Sequence, residues 1–167
     1  LPAQRIAVDQ QWRFAPVGWL PEKYQRALLT FEDRRFFWHP GIDPLAIMRA
    51  AWDDLRARRV VSGGSTITMQ LARILHDNPP RTLTEKFSEA LLALRLEAQL
   101  SKQEILVQYA SRAPFGGNTV GLRAAAWRYF QRPPGELSWA EAALLAVLPN
   151  NPGLFYPGRG RVELLAK

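Results

Sequence analysis

The residues from Phe31 to Gly41 include the side chains that acid–base chemistry needs. The stretch reads Phe-Glu-Asp-Arg-Arg-Phe-Phe-Trp-His-Pro-Gly, so two carboxylates, two guanidiniums and an imidazole surround a Phe-Phe-Trp run. Neighbouring helical residues lie about 100° apart, so Glu32 could face a cleft while Asp33 anchors the backbone or a nearby arginine. The aromatic run would raise a carboxylate pKa toward the range useful for proton transfer. From this stretch alone, Glu32 is either a proton-transfer group or a solvated surface acid paired with Arg34 or Arg35.

A second polar segment, residues 63–73, has the features of an anion-binding helix start. Two glycines lead into Ser65 and Thr66, and the pattern predicts a helix from Ser65 to Arg73. Hydroxyls and free backbone amides at such a start can hold a phosphate. Gln70 and Arg73, four and seven residues after Thr66, would reach the same ligand from one helix face.

Lys86 and Glu89 lie three residues apart on the next predicted helix, which starts at the capping-box pattern Thr82-Leu83-Thr84-Glu85 and runs through Leu100. Residues at this spacing share a helix face. Two interpretations stay open. The pair is either a solvated ion pair worth only about 0.3–0.5 kcal/mol or part of an anion-binding site.

Several neighbouring residues have structural interpretations. We expect Asp33 to pair with a nearby cation and to fix the loop that contains it. His39, which precedes Pro-Gly, is interpreted as a hydrogen-bonded structural group. Phe36 and Phe37 are side chains more often found in cores than in ligand walls, and Phe37 is assigned to the core. The leucine-rich part of the long helix, residues 91–100, is also assigned to the core.

The remaining sequence predicts helices separated by turns rich in Pro and Gly. Asp43-Pro44 is an N-cap followed by a first-turn proline, and capping boxes begin at Ser101 and Ser138. A helix is predicted over Thr119 to Phe130, and residues 1–20 form an extended lead-in. The predicted fold class is therefore mainly α.

Composition narrows the function classes. The 167 residues, 47% of them apolar, fit one globular domain. The 22 Lys and Arg against 15 Asp and Glu give a net charge of +7, which favours an anionic partner. Nucleic acid is disfavoured because aromatic and arginine residues do not alternate along one helix face. Cysteine is absent, which excludes disulfides and thiolate metal sites, and no apolar run reaches the ~18 residues of a membrane span.

Five motifs in order resemble those of the peptidoglycan glycosyltransferases (glycosyltransferase family 51), the lysozyme-like transferase domain of class A penicillin-binding proteins. The first two motifs are Glu32-Asp33-x-x-Phe36-x-x-His39-x-Gly41 and Gly63-Gly64-Ser65-Thr66-Ile67-Thr68-x-Gln70-Leu71. The others are Lys86-x-x-Glu89, Lys102-x-x-Ile105-Leu106-x-x-Tyr109 and the helix from Glu141 to Pro149.

Finer features look most like the penicillin-binding protein 1C branch of this family. These features are Met69 and the run Arg112-Ala-Pro-Phe-Gly-Gly. Two positions depart from the family pattern. Glu85 stands where most members have an arginine, and Ala110-Ser111 replaces a common Leu-Asn.

The resemblance implies a lysozyme-like glycosyltransferase fold with a larger globular lobe and a smaller membrane-facing lobe. It implies polymerisation of lipid II, a polyprenyl diphosphate-linked disaccharide pentapeptide, into β-1,4-linked glycan strands, with inversion and release of polyprenyl diphosphate. The implied location is the periplasmic, outer face of the bacterial inner membrane, with other cell-wall synthesis proteins as partners. Residues 1–167 would form a single transferase domain, with a membrane anchor and a transpeptidase domain outside this chain.

The resemblance also implies roles for individual residues. Glu32 would be the general base that takes the proton from the acceptor's GlcNAc 4-hydroxyl as this attacks C1 of the donor's MurNAc. Glu89 would act on the donor diphosphate side, directly or through a divalent cation, Mg or Mn. Substrate would be bound by Ser65, Thr66, Gln70, Arg73 and Lys86. Structural roles at the site would fall to Asp33, Phe36, His39 and Gly64.

Two alternative functions remain open at this point. One is a lytic glycan hydrolase on the same framework, which would need a protonated acid and a placed water. The other is a catalytically silent module that holds lipid II or an anionic membrane. For membrane contact, the moderately hydrophobic segments Trp12–Leu20 and Leu45–Trp52 are the candidate interfacial patch.

Overall fold

Helices form most of the protein. The computed structural model describes residues 5–6, 12–57, 64–77 and 82–150, and the chain divides into two units. One unit comprises residues 1–31 and 110–167, and the other comprises residues 32–109. Within the described ranges, no helix is both long and apolar enough to cross a membrane. The prediction of a mainly α fold is confirmed.

The helices of the described ranges follow one another closely in the chain. They are α1 (Glu22–Glu32), α2 (Pro44–Ala57), α3 (Ile67–Leu75), α4 (Leu83–Gln99), α5 (Lys102–Arg112), α6 (Leu122–Phe130) and α7 (Trp139–Val147). Short 3-10 turns occupy Phe36–Trp38, Pro134–Glu136 and Leu148–Asn150.

Three two-residue strands form a small sheet, β1 (Arg5–Ile6), β2 (Trp12–Arg13) and β3 (Thr119–Val120). β1 pairs antiparallel with β2, and β2 pairs parallel with β3. The prediction that a helix starts at Thr119 is therefore wrong, because two β-branched residues pair as a strand there before α6 begins. Gly121 makes the change of direction at φ 89°, a backbone conformation that other residues rarely adopt.

Local capping sets the helix starts. The carboxylate of Asp43 accepts the Ala46 N–H at the start of α2, and Thr66 accepts the Met69 N–H at the start of α3. The capping boxes at Ser101 and Ser138 are both present. The caps predicted at Asp43, Ser101 and Ser138 are therefore confirmed. Such a cap contributes about 1 kcal/mol. Because Thr66 is the cap, α3 begins at Ile67, two residues later than predicted.

The buried face of α4 is formed by two acids and an alanine. Glu89, Ala93 and Glu97 follow one another at four-residue spacing, and each is largely or fully buried, with side-chain exposures of 12% for Glu89 and 9% for Glu97. Leu91 and Leu94 lie outside this line and are 48% and 40% exposed. The assignment of residues 91–100 to the core is therefore wrong for these leucines, because the helix buries its small and acidic residues instead.

The core of the unit formed by residues 32–109 draws on α3, α5 and the turn after α1. Its fully buried large side chains are Phe36, Ile67, Met69, Leu71, Ile105, Leu106 and Tyr109. In the other unit, Tyr24 and Leu28 of α1 are fully buried, as are Phe115 and Leu122, and the Tyr24 and Phe115 rings lie 6.5 Å apart. Both α1 and α3, the helices that carry Glu32 and Gln70, therefore contribute buried side chains to a core.

Candidate active site

Glu32 is the last residue of α1 and is only partly buried. Its Oε2 accepts a hydrogen bond of 2.9 Å from the Gln70 side-chain amide. Asp33 already lies beyond the helix, so the expectation that both carboxylates project from one helix is wrong. The two groups are separated because the chain leaves the helix between them, and Asp33 turns inward to 6% exposure.

Asp33 and His39 lock the loop that follows α1. The His39 ring sits 2.9 Å from the Asp33 carboxylate through Nε2, while its Nδ1 accepts the Gly41 N–H. With Nδ1 accepting, Nε2 carries the proton and donates to Asp33. Asp33 also accepts the Ile67 N–H, which joins the loop to α3. The geometry supports structural roles for both residues, although the partner of Asp33 is an imidazole and not an arginine.

A second set of contacts, not found from the sequence, holds the same loop from α5. Lys102 Nζ donates to the His39 carbonyl and to Glu97, and lies 4.4 Å from the centre of the Phe36 ring. Thr68 donates to the same oxygen of Glu97. Lys102 belongs to the fourth motif, Phe36 and His39 to the first and Thr68 to the second, but the motifs did not show that these residues meet.

The aromatic wall predicted beside Glu32 does not form as expected. Phe36 is fully buried, whereas Phe37 is 49% exposed and Trp38 is 88% exposed. The assignment of Phe37 to the core is therefore wrong. A three-residue 3-10 turn cannot bury three consecutive large side chains, because they point in different directions.

The start of α3 is tightly packed. Thr66 is 2% exposed, and its hydroxyl both donates to the Gly41 carbonyl and accepts the Met69 N–H. Ser65 is only partly buried. Gly64 is buried, and a Cβ at this position would lie 2.8 Å from the Ile47 Cα on α2. The hydroxyl of Thr66 is thus already engaged in structural bonds, and Ser65 presents the more accessible hydroxyl.

One turn of α3 contacts both predicted catalytic carboxylates. Gln70 binds Glu32, and three residues later Arg73 Nε lies 3.6 Å from Glu89 Oε1. The side chains of Arg73 and Glu89 are 23% and 12% exposed, so this ion pair is largely removed from solvent. Lys86 is exposed on α4. Of the two interpretations left open for Lys86 and Glu89, the structure does not favour the ion pair, because the cation beside Glu89 is Arg73.

Within the described residues, Asp33, His39 and Asp43 form one group close enough to ligate a metal, with ligand atoms within 4.8 Å of one another. Their partners argue against a cation there. Arg35 binds both oxygens of Asp43 at 2.9 Å. Asp33 and His39 are hydrogen-bonded to each other, and the remaining His39 nitrogen accepts the Gly41 N–H. Burial raises the pKa of Asp43, but the Ala46 N–H and the Arg35 guanidinium outweigh this effect and hold its pKa below the ordinary value. These groups do not fit a divalent ion.

The family of the chain follows from its sequence as a whole. Residues 2–166 match the family model described as Transglycosylase. The chain belongs to the transglycosylase family.

Named relatives of this transglycosylase chain are penicillin-binding proteins. Penicillin-binding protein 1C of Escherichia coli (strain K12) is 48% identical over 160 residues, which cover 95% of this chain and 21% of the relative. Penicillin-binding protein 1A of Aquifex aeolicus (strain VF5) is 44% identical over 144 residues, covering 86% and 20%. Penicillin-binding protein 1A of Neisseria cinerea is 39% identical over 149 residues, covering 89% and 19%.

These matches confirm the family predicted from the motifs, a glycosyltransferase domain of the penicillin-binding proteins. Of these three relatives, penicillin-binding protein 1C has the highest identity to this chain, in agreement with the predicted branch. The transglycosylase chain spans about a fifth of the length of the curated relatives it matches. In the structure, one helix, α3, contacts both glutamates, Glu32 and Glu89. One glutamate has an amide donor beside it, and the other has a guanidinium.

Proposed function

We propose that the chain polymerises lipid II into β-1,4-linked peptidoglycan strands, with inversion at MurNAc C1 and release of polyprenyl diphosphate. The single observation that carries this proposal is the contact of one α3 turn with both glutamates, Glu32 through Gln70 and Glu89 through Arg73. A transglycosylase needs a base at the acceptor and positive charge at the leaving group, and these two pairs supply one each.

Glu32 acts as the general base. The Gln70 N–H donated to its carboxylate favours the ionised form, which is the form that can take a proton. The proton comes from the acceptor's GlcNAc 4-hydroxyl while its oxygen forms the bond to C1. The C1–diphosphate bond breaks in the same step, and the bonding electrons leave with the diphosphate.

The donor diphosphate is bound by the groups around Glu89. Arg73 already lies beside this carboxylate, and Lys86 is exposed one turn earlier on α4. Ser65, which is only partly buried just before α3, adds a hydroxyl donor of the kind that binds phosphate, whereas the Thr66 hydroxyl is engaged in structural bonds. Because Arg73 occupies the cation position next to Glu89, the positive charge at the diphosphate is assigned to Arg73 and Lys86.

The amide donor favours the transferase over the lytic hydrolase. A hydrolase acting through Glu32 would keep this carboxyl protonated so that it could donate to the leaving oxygen. A carboxylate that accepts an N–H is instead stabilised in the ionised form. A diphosphate leaves readily without protonation, so the ionised glutamate suits lipid-linked donors.

The experiment that tests the function compares the chain with its Glu32→Gln variant on labelled lipid II in detergent, with polymer resolved by gel electrophoresis. We expect Glu32→Gln to lose about 10²–10⁴-fold in rate. Glu22→Gln is the matched control, because Glu22 is at the other end of the same helix and its side chain is 73% exposed. The control is expected to keep full activity.

The outcomes separate the three functions. Polymer formed by the chain and lost with Glu32→Gln supports the transferase. Release of soluble fragments from finished glycan, with no polymer from lipid II, would support the lytic hydrolase. Binding of lipid II that is equal in the chain and in Glu32→Gln, with no turnover by either, would support the silent module.

A membrane surface is the proposed second partner. On α2, Leu45, Met48, Trp52 and Leu55 lie at spacings of three and four residues and are 55%, 60%, 65% and 73% exposed; we term them the α2 stripe. A bilayer interface would cover such a stripe, and the net charge of +7 would attract anionic headgroups. For the location we propose the outer face of the bacterial inner membrane, beside other cell-wall synthesis proteins, as the family resemblance implies.

A further inference from the structure

The hydroxyl of the buried Tyr109 binds the Gln70 side-chain amide that contacts Glu32. Tyr109 Oη donates a hydrogen bond of 3.0 Å to Gln70 Oε1, while Gln70 Nε2 donates a bond of 2.9 Å to Glu32 Oε2. The three side chains come from α5, α3 and the end of α1, and the two bonded pairs are 39 and 38 residues apart in sequence. They form a continuous chain of donors that ends on the glutamate.

The chemistry of the three groups specifies how the amide is turned. An ionised carboxylate only accepts hydrogen bonds, so Gln70 must present its NH₂ group to Glu32. The amide oxygen then points the other way, where it requires a donor, and the phenol of Tyr109 supplies one. Without that donor, the opposite amide orientation would place the carbonyl oxygen of Gln70 against a carboxylate.

Tyr109 is itself held in place. It is 1% exposed, and Ile105 and Leu106 on the same helix are fully buried. Lys102 lies seven residues earlier, two turns along the same helix face, and it binds the His39 carbonyl. α5 therefore supports both the loop that follows Glu32 and the amide that contacts Glu32.

We propose that Tyr109 is a positioning residue for Glu32 and acts through Gln70. This inference rests on the proposed function, because it assigns Glu32 the role of base. Tyr109 does not contact substrate and passes no proton. Its hydroxyl keeps the amide in the orientation that donates to the carboxylate, and so holds Glu32 in position for proton removal.

The test is the Tyr109→Phe variant of the full chain, assayed on labelled lipid II in detergent. Phe preserves the ring and its packing and removes only the hydroxyl. We expect kcat to fall roughly five-fold, the change produced by losing one ordinary hydrogen bond, while KM for lipid II stays within about two-fold. A thermal melt checks that the variant is folded.

A double-mutant cycle shows whether the effect passes through Gln70. In a Gln70→Ala background, Tyr109→Phe should change kcat by less than about two-fold, because the amide that it orients is gone. Tyr129→Phe is the matched control, since Tyr129 also donates its hydroxyl to an oxygen, the Phe115 carbonyl. This control should leave kcat unchanged whatever it does to the melting temperature.

A second readout does not depend on turnover. In ¹H–¹⁵N correlation NMR spectra, the side-chain NH₂ signals of Gln70 should shift in Tyr109→Phe and should not shift in Tyr129→Phe. The inference is overturned if those signals do not shift, if kcat is unchanged, or if the loss is equally large without Gln70. If the chain fails to polymerise lipid II or Glu32→Gln stays active, the proposed function itself fails, and the role of Tyr109 fails with it.

Discussion

At the scale of single residues, three acids close in sequence have three different environments. Glu32 is partly exposed and accepts an amide N–H, whereas Asp33 is buried with an imidazole and a backbone N–H. Asp43 is bound by both nitrogens of an Arg35 fork. Glu32 is the only one of these three carboxylates that is not buried, so it is the one suited to proton transfer. The other two hold the loop between α1 and α2 in place.

The Asp43–Arg35 pair makes the stability of the fold depend on pH. We expect Asp43→Ala to lower the free energy of unfolding by about 2 kcal/mol at neutral pH, because it removes a helix cap and a charged hydrogen bond. The pKa of Asp43 is lowered in the folded state. The stabilisation is therefore present above the unfolded-state pKa of about 4, and is lost as the pH falls through the folded-state pKa.

Urea unfolding of the chain and of Asp43→Ala, followed from about pH 7 down to about pH 2, checks this expectation. The difference between the two curves should shrink as the pH falls. Asp53→Ala, an exposed position on the same helix, is the control and should change stability by no more than about 0.5 kcal/mol. A difference that stays constant over the whole pH range would contradict the assignment.

At the scale of elements, α3 organises the site. Five of its residues, Ile67, Thr68, Met69, Leu71 and Ala72, are buried, so the helix cannot rotate without exposing them. Gln70 and Arg73 are left on the face that meets the two glutamates. The position of α3 along its axis is set by its start, where Thr66 binds the Gly41 carbonyl and Gly64 packs on α2.

Gly64→Ala should disturb this element. The new Cβ would lie 2.8 Å from the Ile47 Cα and 3.0 Å from the Ile47 nitrogen, and a helix backbone cannot yield as a side-chain tip can. We expect a loss of about 1–3 kcal/mol in unfolding free energy, measured by urea denaturation, together with lower polymerisation activity. Gly18→Ala is the control, because nothing lies within 4 Å of its added Cβ. Equal stability of the two variants would show that α2 does not fix the start of α3.

At the scale of the whole molecule, charge and exposed apolar surface act together. The chain has a net charge of +7, and α2 has the exposed α2 stripe and the exposed cations Arg49 and Arg56. On α4, Phe87, Leu91 and Leu94 are also exposed, because that helix turns its acids inward. The substrate that we propose has a polyprenyl tail that stays in the bilayer, and we propose that these surfaces bind the chain to the bilayer surface, where that substrate lies.

Vesicle flotation measures this interaction. We expect the chain to float with vesicles containing anionic lipid, and Trp52→Glu to weaken the partition about ten-fold, because it removes a large apolar contact and adds a repelled charge. Trp139→Glu, at a position that is 54% exposed on α7, is the matched control and should float like the unmodified chain. The assignment of the α2 stripe would be wrong if both variants lost binding equally, or if neither did.

The sequence by itself determined the features that depend on residues within one helical turn. Caps at Asp43, Thr66, Ser101 and Ser138 set the helix starts, because a cap joins a side chain to a backbone N–H three residues away. The order and spacing of the five motifs predicted the family, which the match over residues 2–166 confirmed.

Only the tertiary structure decided which distant groups meet. Arg73, and not the nearby Lys86, pairs with Glu89, and Tyr109 reaches Gln70 across 39 residues of sequence. Hydrophobic spacing identified apolar stripes but could not show that Leu91 and Leu94 face outward, since periodicity identifies a face and not what covers it. Partners and burial depend on how helices from different parts of the chain pack, and no local pattern contains that information.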